Sequence, residues 1–227
     1  MLKIAHRGAS GYEPENTLRA FKKAIDLGVS MIELDVHQCK TGELVVIHDG
    51  TLQRTTNGRG RVSVKTLAEL KKLDAGKSEQ VPTLNEVIDL VNRRAIINIE
   101  LKGKNIAEPI VILLQKYFKA GYLSEDFLIS SVHFAELIKI KKALPEVKIG
   151  VLFRRIFWRL FSPERIAVKL KADFIIFDLG LISRSLINKA KQQGLKVFVF
   201  TVNDHKNITR MKEWGVDGIF SNFPDKI

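Results

Sequence analysis

Residues 31–49 read MIELDVHQCKTGELVVIHD, and this stretch decides the architecture. Its opening run is rich in strand-forming apolar residues, yet it carries two acids, Glu33 and Asp35. Side chains two apart on a strand share a face, so the two carboxylates point the same way. After Gln38 the chain turns polar around Gly42 and then returns to apolar residues in VVIH, the pattern of a hairpin. With Thr41 and Gly42 at the turn, His48 comes to lie opposite Asp35, to within a residue or two. A strand that enters carrying acids thus returns carrying a histidine.

Working outward, short strand-like runs alternate with amphipathic stretches through most of the chain, as in a parallel sheet built from strand-helix units. The pattern predicts strands over 3–6, 31–38, 95–101, 127–131, 148–153, 173–177, 196–201 and 217–220. It predicts helices over 17–27, 84–92, 106–119, 135–143, 185–193 and 206–214, with a further helical stretch within 153–171. Asn16 is the expected cap of the first helix and Gly28 its terminator. Eight strands alternating with helices specify an α/β chain closed as a TIM (β/α)8 barrel. A doubly wound open sheet would want a glycine-rich dinucleotide turn after its first strand, and HRGAS at 6–10 is not one. Residues 50–81 are too long and polar for an ordinary strand-helix loop, so they are expected to form a small insertion covering the C-terminal mouth. The whole of 1–227 reads as one barrel domain.

The length of 227 residues and the 45% apolar content suffice for one large core. With 37 basic against 25 acidic residues, the net charge of +12 suits phosphate-bearing partners but does not choose among small anions, lipid and nucleic acid. Cys39 has no second cysteine to pair with and is expected as a small buried residue. The sequence shows neither a membrane-spanning apolar run nor a secretory leader, which predicts a cytoplasmic protein.

In such a barrel, reactive groups gather at the C-terminal ends of the strands. His6 falls at the end of the first, Glu33 and Asp35 near the end of the second, and Glu100 at the end of the third, with Lys102 on the same face. Buried carboxylates flanked by apolar residues need positive compensation. Arg7 or Lys102 could supply it to any single carboxylate as an ordinary salt bridge; three converging at strand ends favour one hard divalent cation, Mg2+ or Ca2+. His6 and His48, each at a strand end, are candidates for an acid–base pair. Arg7 offers a planar fork, and Lys102 a point charge, to phosphate oxygens. His37 and His205 read as surface histidines and His133 as a candidate pocket lining.

These residues lie in motifs that recur collinearly along the chain. HRGASGYEPENTLRAF (6–21), IELDV (32–36), VVIHDGTLQRTTNGRG (45–60), TLAELKKLDAG (66–76), VPTLNEV (81–87), NIELK (98–102), FTVN (200–203) and GVDGIFSNFP (215–224) resemble the glycerophosphodiester phosphodiesterase family from end to end. The resemblance implies a TIM barrel with an insertion over its mouth, and metal-dependent hydrolysis of glycerophosphodiesters to glycerol 3-phosphate and an alcohol. It implies that His6 and His48 form the catalytic pair, that Glu33, Asp35 and Glu100 hold the metal, and that Arg7 and Lys102 contact phosphate. Glu15 and Asn16 are implied to buttress the site. Two places depart from the family pattern. Ser221-Asn222-Phe223-Pro224 stands where Thr-Asp-x-Pro is usual, so a carboxylate is missing, and Ser131-Val132-His133 stands where Ser-Phe is frequent.

Residues 152–171 read LFRRIFWRLFSPERIAVKLK. Phe153, Ile156, Phe157, Leu160 and Phe161 repeat at helical spacing as one apolar stripe, with Arg154, Arg155 and Arg159 elsewhere. The stripe either packs on the barrel or rests on an anionic membrane through 153–161, and in the second case lysophospholipids become candidate substrates of a lysophospholipase D-type reaction. A non-catalytic barrel binding anionic lipid or nucleic acid would account for the charge but not for the inward acids and histidines. The chain also lacks the interleaved aromatic and basic motifs of RNA-binding modules, so no nucleic acid is expected.

Overall fold

The computed structural model describes residues 1–153 and 162–227. In chain order they form β1 (Leu2–Ala5), α1 (Leu18–Asp26), β2 (Met31–Gln38), β3 (Leu44–Val46), α2 (Leu67–Leu70), α3 (Leu84–Val91), β4 (Ile96–Leu101), α4 (Ala107–Lys119) and β5 (Phe127–Ser131). There follow α5 (Phe134–Ala143), β6 (Lys148–Phe153), α6 (Pro163–Lys169), β7 (Phe174–Asp178), α7 (Arg184–Gln192), β8 (Lys196–Phe200), α8 (His205–Glu213) and β9 (Gly218–Ser221). Among the described residues, eight parallel strands close into a barrel in the order β1-β2-β4-β5-β6-β7-β8-β9, with β9 pairing back to β1. β3 is the one extra strand, antiparallel to β2.

Strand residues alternate between two cores. Ile97, Ile99 and Leu101 of β4 join the main cluster shared with the surrounding helices. Ile4, Met31, Leu128, Phe174, Phe198 and Phe220 form the second cluster, inside the barrel. Gly150 on β6 makes room for it, since a Cβ there would lie 2.0 Å from the Phe174 ring. Helix starts follow local chemistry. The Thr66 and Thr83 hydroxyls accept from the backbones of Glu69 and Glu86, whose carboxylates reach back to the capping residues.

Two expectations need correction, the cap of α1 and the exposure of His37. The cap of α1 is Thr17, whose side chain accepts from Ala20 N–H; Asn16 has a positive φ and its amide is turned toward β2 instead. The hairpin forms within the expected tolerance, offset by one residue: Val36 pairs with Val46 and His37 with Val45, so Ile47 stands opposite Asp35 and donates to its carbonyl. The cause is a loop centred on Thr41, closed by Cys39–Glu43 backbone bonding with Gly42 at φ +99°. His37 is half-buried rather than superficial, with Nε2 3.1 Å from the His48 carbonyl.

Residues 50–81 carry one turn of 3-10 helix and α2, and pack on a small core of their own. Leu52, Val62, Leu70 and Val81 bury there with Val45, Ile47 and Cys39, the last as expected. Within the helical stretch expected in 153–171, Phe153 belongs to β6 and α6 begins at Pro163; the amphipathic 154–161 lies outside the described residues. No helix among the described residues is long and apolar enough to cross a membrane.

Candidate active site

The alternation along β2 and β4 aims Glu33, Asp35 and Glu100 into the barrel while their neighbours face the helices. One oxygen from each lies within 4.8 Å of the others, and all three side chains are buried. Asp35 is cross-strand neighbour to Glu100, and Glu33 to Asn98. Burial, then the charges of Asp35 and Glu100, push the Glu33 carboxyl well above its ordinary range. Burial also acts against Asp35, but Lys102 and Arg7 outweigh it and hold that carboxyl low. Lys102 Nζ stands 2.8 Å from Glu100 Oε1 and 3.4 Å from Asp35 Oδ1.

Arg7 follows β1 in a left-handed conformation, φ +57°, a strained backbone for a residue other than glycine. The turn makes its N–H donate to Glu33 Oε2 at 2.8 Å, while its guanidinium lies 2.9 Å from Glu15 and 3.3 Å from Asp35. Gly8 is required next, because a Cβ would stand 2.7 Å from the Ala20 backbone. The Asn16 amide donates to Asp35 Oδ2 at 2.9 Å.

The two histidines are anchored differently. His6 pairs through Nδ1 with Asn222 Oδ1 at 2.8 Å, an assignment that puts the proton on Nδ1 and leaves Nε2 as the accepting nitrogen. Asn222 is itself oriented by Asn203, whose Oδ1 accepts its backbone N–H. Burial, with Arg7 beside it, lowers His6 to about 4. His48 pairs through Nδ1 with Asp49 Oδ1, and its Nε2 is buried without a hydrogen-bond partner among the described residues. Burial lowers His48 too, against the pull of Asp35. Arg54, from the insertion, grips Asp49 at 2.7 Å and Glu15 at 2.8 Å, closing a chain of charges from Arg7 through Glu15 and Arg54 to Asp49 and His48.

All nine residues singled out from the sequence are thus near one another: His6, Arg7, Glu33, His48 and Glu100 line one narrow cavity, and Asp35, Lys102, Glu15 and Asn16 bond to its walls. His133 binds the Lys102 carbonyl from the side, at 3.2 Å. Asp49, Arg54 and Asn98 escaped sequence reasoning, although Asp49 directly follows His48 and Asn98 alternates with Glu100. The donor set fits one hard divalent cation. Its ligands are carboxylates, and Glu33 Oε1 has no hydrogen-bond partner among the described residues, while Asp35 Oδ1 meets Lys102 Nζ at 3.4 Å. Five carboxylates (Glu15, Glu33, Asp35, Asp49, Glu100) face three cations (Arg7, Arg54, Lys102), and the formal excess of two negative charges is what one such ion neutralises.

A barrel mouth of this kind suits transfer of a phosphoryl group, with cations and anchored imidazoles around a place for a metal. The chain belongs to the glycerophosphoryl diester phosphodiesterase family, whose family model matches residues 6–226. It is similar to a glycerophosphodiester phosphodiesterase of Caldanaerobacter subterraneus subsp. tengcongensis, 40% identical over 100% of this chain and 96% of the relative. A solved Oleispira antarctica phosphodiesterase in complex with the product sn-glycerol-3-phosphate superimposes with a TM-score of 0.89 and 31% identity, over 99% of this chain and 94% of that one. The human lysophospholipase D GDPD1 is 27% identical over 99% of this chain and 84% of its own length.

Proposed function

We propose that this phosphodiesterase hydrolyses glycerophosphodiesters to glycerol 3-phosphate and an alcohol, with His6 and His48 as its proton carriers. The observation that carries the reading is the meeting of both imidazoles with Glu33 and Glu100 in one cavity, where Asp35 completes the carboxylate cluster from behind the wall. Glu33, Asp35 and Glu100 would hold one Mg2+ or Ca2+, which when bound supplies charge stabilisation to the phosphodiester. Arg7 and Lys102 bind phosphate oxygens from the same mouth. Each histidine has Nδ1 tied to a wall, which fixes its ring and leaves Nε2 to take or give the proton. One removes a proton from the nucleophile and the other protonates the departing alcohol oxygen.

The test is release of glycerol 3-phosphate from glycerophosphocholine and glycerophosphoethanolamine, with and without chelator. His6→Ala and His48→Ala should each lower turnover by about 10² to 10⁴ with folding intact; wild-type rates in both variants overturn the assignment. A lysophospholipid, which carries the same phosphodiester with one acyl chain, belongs in the same assay as the second substrate class, a reading supported by the name of the human relative.

A further inference from the structure

Beside the carboxylates, the barrel wall carries polar groups that the reading above leaves unused. Asn98 lies on β4 two residues before Glu100, on the same face, and is the direct cross-strand neighbour of Glu33. Ser130 on β5 is the cross-strand neighbour of Glu100. Asn98 is 1% exposed and Ser130 0%, and both line the cavity shared by Glu33, Glu100, His6 and His48. Among the described residues neither Oδ1 nor Nδ2 of Asn98 has a hydrogen-bond partner, and neither does Ser130 Oγ or Glu33 Oε1.

A buried polar group left unpaired costs about 1–3 kcal/mol, and the cost recurs at each such atom. Apolar residues fill the interior cluster nearby, so a leucine in place of Asn98 would avoid the cost. The amide is therefore retained for something that reaches it from the cavity. That space is about 20 Å3, roughly the room one water needs. The unpaired atoms also match as donor and acceptor: Asn98 Nδ2 has hydrogens to give, and Glu33 Oε1 can accept.

We propose that Asn98 and Ser130 hold one ordered water on the barrel side of Glu33, and through it orient the Glu33 carboxylate toward the cation. Asn98 is then a positioning residue of the metal site. Such outer partners typically change metal affinity by about 10–100-fold when removed. The inference rests on the proposed metal role of the three carboxylates, and its test separates the two.

The experiment is calorimetric titration of Mg2+ and of Ca2+ into chelator-stripped wild type, Asn98→Leu, Ser130→Ala and Glu33→Gln, with thermal unfolding of each stripped protein. Asn98→Leu should keep the fold, with the stripped protein melting within a few degrees of wild type, and should bind the ion about tenfold or more weakly. Ser130→Ala, a smaller change, should weaken binding in the same direction while keeping the fold. A structural role for Asn98 predicts the opposite: a lower melting temperature and unchanged affinity. Wild type that binds the ion, with Glu33→Gln abolishing it and both Asn98→Leu and Ser130→Ala binding as wild type, overturns this inference and leaves the metal reading standing. Wild type that binds neither ion overturns both.

Discussion

Replacing Glu33 by glutamine tests the electrostatics of the mouth directly. The three carboxylate oxygens lie within 4.8 Å of one another, so at an effective dielectric of about 20 each ionised pair repels by at least ~3.5 kcal/mol. Ionised Glu33 faces two such neighbours, and Arg7 and Lys102 lean mainly on Asp35 and Glu100. Burial and this repulsion together push the Glu33 carboxyl well above its ordinary range in the metal-free protein. Its folded pKa lies above the unfolded value of 4.5, so the contribution of Glu33 to stability is fully present below that value and is lost as pH rises through the folded pKa. Glutamine mimics the protonated acid and removes that pH dependence. In chelator, the variant should therefore melt at or above the wild-type temperature at pH 7, and the gap should widen as pH rises. A saturating divalent cation at about 100 times its Kd should stabilise wild type by ~2.7 kcal/mol, a rise of about 5–10 °C for a chain of this size. The glutamine variant should show about 2 °C or less. Differential scanning calorimetry across pH 5–8 (about the range in which most proteins are stable), with chelator and with Mg2+ or Ca2+, reads all three quantities. A variant that keeps the full cation-induced rise refutes the reasoning.

Four further outcomes are expected. Asn222→Asp puts a carboxylate on His6 Nδ1; since His6 now sits at about 4, the limb of the pH–rate profile that reports it should move upward by about 1 unit, and an unmoved limb detaches Asn222 from the chemistry. The same depressed pKa means that acid costs stability: neutral His6 contributes fully above the unfolded value of 6.5, and that contribution is lost as pH falls toward about 4, a loss that His6→Phe should abolish in denaturant titrations. Arg54→Ala breaks only half-exposed ion pairs, so the melting temperature should change little while turnover falls about 10- to 100-fold as Asp49 and Glu15 lose their common clamp. Gly150→Ala drives a Cβ into the Phe174 ring and should cost about 1–3 kcal/mol in urea unfolding; a neutral result would show that the barrel interior yields more easily than its packing indicates.

Much of this architecture is legible in the chain because strand periodicity and strand-end chemistry reinforce one another. The run 31–38 keeps its sequence-derived bounds as β2, and the parity of Glu33, Asp35 and Glu100 alone brings three distant acids together. What escapes the sequence depends on sub-turn geometry. Lys40, Thr41 and Gly42 share one loop, and whether it is centred on Thr41 or on the bond after it shifts the whole hairpin by a residue. Asn16 and Thr17 are both good capping residues, and only the left-handed backbone at Asn16 hands the cap to Thr17 and frees the amide for Asp35. Asn98 stayed hidden for another reason: amid Ile97 and Ile99 it reads as an interruption, and only the folded chain sets its amide beside Glu33 with no partner among the described residues.

The bond between His6 and Asn222 joins residues 216 positions apart, across the seam where β9 meets β1. β1 has one neighbour, β2, close behind it in the chain, but its other neighbour, β9, comes last. Until then the imidazole has nothing to hold its ring, and the charge network around Arg7 faces an open flank. On the roles proposed above, the His6 side of the site is therefore completed only when the barrel closes.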